Sequence, residues 1–178
     1  MAVEFRCATA RGRGYAPRLR ADADRLMRAA GLAECELSLT LTTDRALRRL
    51  NRDFRGIDAA TDVLSFSQIE QAGDAPPDPR SIRNSPGLPV GDVVISIDTA
   101  IRQARELRVS AASRLRHLLI HGFLHLIGYD HERSAADARR MFARERTLAA
   151  KIDEGPVLTP RRKAGAQRNL ARRRVSSR

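Results

Sequence analysis

Cysteine is scarce in this 178-residue sequence, which holds only Cys7 and Cys35. Two thiols exclude a disulfide framework and an all-thiolate metal site, and each reads as a small buried apolar residue in a reducing cytoplasm. Long apolar runs are missing as well. The longest clean ones, such as Val93-Val94-Ile95, fall far short of the ~18 to 20 residues that cross a bilayer. The segment Met1-Ala2-Val3-Glu4-Phe5-Arg6 lacks the apolar core of a signal peptide. These absences predict a soluble, cytoplasmic protein with no membrane partner. Acid is missing too, from one stretch: residues 156–178 carry eight basic side chains and no Asp or Glu.

Apolar residues make up 42% of the chain and charged residues 30%, enough to bury a core and too apolar for a wholly unfolded protein. The length suits one domain. The net charge is +12, and without the basic stretch 25 basic face 21 acidic residues, a net of +4. The expected organisation is therefore a single folded domain over 1–155 and a solvated basic tail over 156–178. Such a tail attracts polyanions such as RNA or a ribosome surface by counterion release, without reading sequence. A bland reading stands beside it, because 31 arginines against two lysines point to an arginine-biased genome.

Periodicity places the elements. Residues 3–8 alternate as a short strand, and Pro17 to Ala30 forms a helix ended by Gly31. Strict alternation from Glu36 to Thr42 predicts a half-buried strand, followed by a helix from Asp44 to Phe54 capped by Thr43. Asp62 to Ser67 and Asp92 to Ile97 read as further strands. Between them, 68–89 holds five of the eight prolines and no periodicity, which predicts a long loop. Helices follow at 98–108, 110–127 and 135–151, the last behind Ser134 as N-cap with Asp137 in its first turn. Strands followed by a helix-rich half predict an α+β fold: a small mixed sheet of about four strands with helices packed on it.

The four histidines all fall between His117 and His131. Random placement would put four into one such window with a probability of roughly two in a thousand, so chance is a poor explanation. His117, His121 and His125 share one face of the predicted helix at i, i+4 and i+8. The outer two are separated by about 12 Å of rise, too far for both to reach one ion at Zn–N distances of ~2.0–2.1 Å. Gly128 permits a left-handed turn that brings the chain back, so the pair nearest the return, His121 and His125, is expected to join His131 as three imidazole ligands. A fourth position stays open, as in catalytic zinc sites. His117 is expected to pack one turn up and hold a backbone carbonyl or a group behind the ligands. Asp130 is expected to orient a ligand imidazole or to accept from the turn, and Tyr129 to pack. The spacing H-x-x-x-H-x-x-G-x-x-H is also that of metzincin peptidases, but Gly122 stands where their glutamate base would be.

The stretch His117-Leu-Leu-Ile-His-Gly-Phe-Leu-His-Leu-Ile-Gly-Tyr-Asp-His131 resembles the signature of the YbeY family, bacterial metal-dependent endoribonucleases linked to rRNA maturation and ribosome quality control. Two further blocks resemble it in the same order: Leu50-Asn51-Arg-Asp-Phe-Arg55 followed by Thr61-Asp62-Val63-Leu64-Ser65-Phe66, and Gly91-Asp92-Val93-Val94-Ile95-Ser96. The likeness weakens where Ala59-Ala60 stands in place of a common Lys-Pro and Ser67 in place of a frequent proline. It implies an α+β fold, one Zn2+ on His121, His125 and His131, and Arg55 near the cleft. It also implies an rRNA substrate, a small-ribosomal-subunit partner and no action on DNA. Arg55, whose planar fork matches phosphate, is expected to bind the scissile group and with His121 to be catalytic. Asp62 and Asp92 are expected to be strand-end hydrogen bonders. No residue type identifies the general base, and either water or the RNA 2′-hydroxyl serves as nucleophile. Two rival readings remain: a metzincin-like peptidase, and a non-enzymatic ribosome-associated factor with a structural metal.

Overall fold

A computed structural model describes residues 3–69 and 82–153. The basic tail and most of the expected proline-rich loop lie outside the described residues. The elements run β1 (Val3–Cys7), α1 (Ala16–Ala30), β2 (Glu36–Thr42), α2 (Asp44–Arg55), β3 (Val63–Ser67), β4 (Pro89–Ser96), α3 (Ile97–Glu106), α4 (Ala111–Leu126) and α5 (Ala135–Asp153). The expected α+β architecture is what the chain adopts. The sheet order is β1-β2-β4-β3, with the first three strands parallel and β3 antiparallel to β4.

Local sequence explains most boundaries. Leu37, Leu39 and Leu41 of β2 are buried while Glu36 is exposed, as the alternation requires. The Thr43 hydroxyl accepts the Ala46 N–H, so α2 starts one residue later, and Gly56 ends it in a left-handed turn. Strand β4 begins three residues earlier than its apolar run suggests, because Val90 forms a bulge against the Glu36–Leu37 step of β2. Gly91 makes this possible: its φ is 137°, and a Cβ there would sit 2.2 Å from the Phe66 carbonyl oxygen. Ile97 belongs to α3 rather than β4, since the Ser96 hydroxyl accepts the Thr99 N–H and starts the helix.

The main core lies on one face of the sheet, where Leu39, Val93 and Ile95 meet Leu26 and Met27 of α1, Leu119 and Phe123 of α4, and Leu148 of α5. The other face carries a smaller cluster in which Leu47 and Leu50 of α2 cover Leu64, Val94 and Phe66. Burial of β4 on both faces accounts for its nearly unbroken apolar run. Cys7 and Cys35 are free thiols, and Cys35 is buried. No helix among the described residues is long and apolar enough to cross a membrane.

Candidate active site

Helix α4 presses its apolar residues against the sheet while histidines recur at every fourth position along another face. The helix comes close to the sheet at Gly122. A Cβ there would lie 2.9 Å from Ser65 Oγ, 3.0 Å from Val93 Cγ1 and 3.1 Å from Val63 Cγ2. The position that metzincin spacing reserves for a glutamate therefore points into β3 and β4, where any side chain would force Ser65, Val63 and Val93 to shift.

Past Leu126 the chain reverses. The N–H groups of Gly128 and Tyr129 donate to the carbonyls of His125 and Leu124 at 3.1 and 3.0 Å, and Gly128 takes a φ of 89°. Asp130 fastens the turn by accepting from the Glu132 N–H at 2.8 Å and from Arg133 Nε at 3.1 Å. The Glu132 N–H chiefly, aided by Arg133 and opposed by partial burial, holds its carboxyl below the usual carboxylate range. Of the two roles expected for Asp130, the turn role is the one with hydrogen bonds.

The reversal returns His131 to the helix. Ring centroids stand 4.8 Å apart for His121 and His125, 5.0 Å for His121 and His131, and 5.2 Å for His125 and His131. One nitrogen from each ring lies within 4.8 Å of the others, and the Nε2 atoms of His121 and His125 are 3.2 Å apart. Two ligands of a tetrahedral zinc at ~2.0–2.1 Å would stand about 3.3 Å apart. The buried Nδ1 of His131 has no hydrogen-bond partner. An all-imidazole donor set with converging nitrogens and an orphaned buried ring atom fits a zinc ion. Burial, reinforced by the neighbouring His121 and His131, pushes the His125 pKa below the usual histidine value, which favours the neutral form that binds metal.

Sequence reasoning missed Glu145. Its Oε1 lies 2.7 Å from His121 Nδ1, and it is only 8% exposed. Burial raises its pKa, but the bond to His121 and the nearby charges of His117, His121 and His131 outweigh that and hold it below the usual range. An ionised Glu145 accepts the Nδ1 proton of His121 and so leaves Nε2 bare toward His125 and His131. The signal for it lay in α5, where Glu145 occupies one stripe with the buried Met141, Leu148 and Ile152. His117 is exposed, stacks on His121 with centroids 6.1 Å apart, and makes no hydrogen bond among the described residues.

Arg55 closes α2 and is exposed. On the same helix Arg48 is clamped to both oxygens of Asp58 at 2.7 and 2.8 Å, and Arg52 holds Asp53 at 2.9 Å. Arg55 has no ion-pair partner among the described residues. It lines, with His121, His125 and His131, a cleft of about 550 Å³ walled by β3. Asp62 also borders the cleft, but its oxygens accept from the Val63 N–H, Gln103 Nε2 and Arg114 Nη2 at 2.9, 3.0 and 3.1 Å. Asp92 accepts from Gln68 Nε2 at 3.0 Å, and Tyr129 packs against the main core.

The model of the family described as endoribonuclease YbeY matches residues 17–153. The chain belongs to this family. A YbeY relative from Anaeromyxobacter is 46% identical over 168 residues, covering 94% of this chain and 80% of its own length. One from Geobacter sulfurreducens is 46% identical over 143 residues, 79% of this chain and 89% of the relative. Both bear the name endoribonuclease YbeY. The solution structure of a Thermotoga maritima protein superposes with a TM-score of 0.58 at 22% identity, covering 84% of this chain and 88% of that one, and so shares the fold.

Proposed function

We propose that this chain is a zinc-dependent endoribonuclease that cuts single-stranded RNA in the maturation of 16S ribosomal RNA and in ribosome quality control. In this reading it works in the cytoplasm, where its free thiols stay reduced, with the small ribosomal subunit as partner. The YbeY relatives' names support RNA as the substrate. The observation that carries the reading is the convergence of three imidazoles in the same cleft as an unpaired arginine.

His121, His125 and His131 hold the ion, and Glu145 fixes the tautomer of His121. When bound, zinc supplies Lewis-acid chemistry, polarising a phosphoryl oxygen and making water more acidic. Arg55 grips the scissile phosphate with two parallel N–H donors and stabilises the charge that grows on its oxygens in the transition state. Asp62 and Asp130 are committed to scaffold hydrogen bonds. Gly122 supports RNA over peptide, because it takes the place of a metzincin's glutamate base and any side chain there would crowd Ser65, Val63 and Val93. Residues 156–178 form a separate basic extension of the 1–155 domain and add attraction for RNA that is independent of its sequence.

The test uses purified protein, elemental analysis and an unstructured RNA. One zinc per chain and RNA cleavage that stops on chelation are expected, with no turnover of casein. Arg55→Ala should keep its metal and melting temperature while cleavage falls by about 10²–10³-fold. A folded, metal-loaded and fully active Arg55→Ala protein removes the role given to this arginine, and chelation without effect removes the zinc mechanism.

A further inference from the structure

Phe54 is 69% exposed, the most exposed large apolar side chain among the described residues. It is not a stray surface residue. Its ring lies edge-on to Phe66 at 5.2 Å between centroids and 64° between planes, an attractive geometry for two aromatic rings. Phe66 belongs to β3 and packs with Leu64, Val94 and Leu47 in the smaller core, so the lower ring is anchored in the fold. Phe54, Phe66 and the adjacent Arg55 line the cleft that holds the three histidines. A phenyl ring kept largely in water leaves apolar surface unburied, and a flat partner laid on it would supply that burial.

We propose that Phe54, braced by Phe66, is a stacking platform for one unpaired nucleobase of the RNA strand whose phosphate Arg55 holds. The inference rests on the proposed nuclease function and adds to it a physical basis for single-strand preference. The occupant follows from the cleft: a guanidinium free to bind phosphate and an exposed aromatic ring line the same cleft, and unpaired RNA presents phosphates and π-surfaces side by side along one strand. A base within a duplex has its faces covered by its neighbours and cannot lie on the ring. Every base has a π-face, so the platform favours unpaired nucleotides without selecting a sequence.

The experiment compares the zinc-loaded wild type with Phe54→Leu and Phe54→Trp. Leucine keeps apolar contact with Phe66 but has no ring, and tryptophan keeps a ring. Binding is read before turnover on a short oligoadenylate carrying one 2-aminopurine, whose fluorescence is quenched on stacking, and on the same strand built from abasic ribose phosphate. Phe54→Leu should bind the oligoadenylate about 5- to 150-fold more weakly, corresponding to the ~1–3 kcal/mol of one base–aromatic stack, and should lose the quenching. Phe54→Trp should retain both. All three proteins should bind the abasic strand alike. Melting temperatures equal to wild type confirm that the leucine variant is folded. Unchanged affinity and quenching in Phe54→Leu, with wild type cleaving RNA normally, overturn the platform and leave the nuclease reading standing. A zinc-loaded wild type that neither binds nor cleaves RNA overturns both.

Discussion

Two polar clusters in this molecule come to opposite ends. Around Asp44, at the start of α2, every group has a partner. Asp44 accepts from the Ser96 hydroxyl, from Thr99 Oγ1 at 2.6 Å and from Arg102 at 3.4 Å, while its own N–H donates to Asp98 at 3.1 Å. At the end of α4 the nitrogens of His121, His125 and His131 face one another, and the buried Nδ1 of His131 has no partner. Buried polar groups are normally satisfied within the chain. A cluster that satisfies itself ties elements together, and one whose donor atoms converge without closing has left its last bond to something else. Glu145 is the joint between these behaviours, since it satisfies one side of His121 so that the other side stays bare.

The largest expected effect is at the histidines. His121→Ala should lower the zinc content from one per chain toward none and reduce RNA cleavage to the level of chelated wild type, while the protein melts close to that apo form. Elemental analysis and calorimetry check both halves, and a variant that binds zinc normally would break the contrast between the clusters. Asp44→Ala should do the reverse: about 1–3 kcal/mol of stability lost to denaturant with zinc affinity unchanged, because two hydroxyls and a guanidinium lose their acceptor. Burial opposes ionisation of Asp44, but the bonds from Ser96, Thr99 and Arg102 prevail and hold its pKa below the usual value. Its contribution is therefore complete above the unfolded-state pKa of about 3.9 and fades as pH falls through the lower folded value. Denaturation curves in acid should show a shallower loss of stability below about pH 4 for Asp44→Asn than for wild type.

Glu145→Ala should weaken zinc binding by about 10–100-fold in competition with a chromophoric chelator, and Glu145→Gln, which keeps an acceptor oxygen, should lose less. Equal affinity in all three proteins would deny Glu145 its hold on the tautomer. The smallest effect should come from Thr43→Ala, which removes the cap of α2 at a cost of about 1 kcal/mol and leaves zinc binding intact.

Much of this was legible from periodicity and spacing. The alternation of Glu36 to Thr42 and the leucines of α2 announce their elements because one face of each meets a core. The histidines were legible because two requirements, a turn of helix and a reversal at Gly128, leave marks at short range in the sequence. What stayed hidden depends on distant partners. Glu145 joins His121 across 24 residues, and the bulge at Val90 needs β2 beside it before Pro89 and Gly91 read as strand. Arg114 and Asp62, separated by 52 residues, likewise gave no local sign of their ion pair.

The seat of Gly122 has an evolutionary consequence. A GGA or GGG glycine codon becomes a glutamate codon by one base change, yet here the first carbon of the new side chain would stand only 2.9–3.1 Å from Ser65, Val63 and Val93 of the sheet. A protein-cutting descendant with its base at this position would need those neighbours, or the helix above them, to give way as well. The step from one trade to the other therefore asks for changes in the strands as well as at this residue.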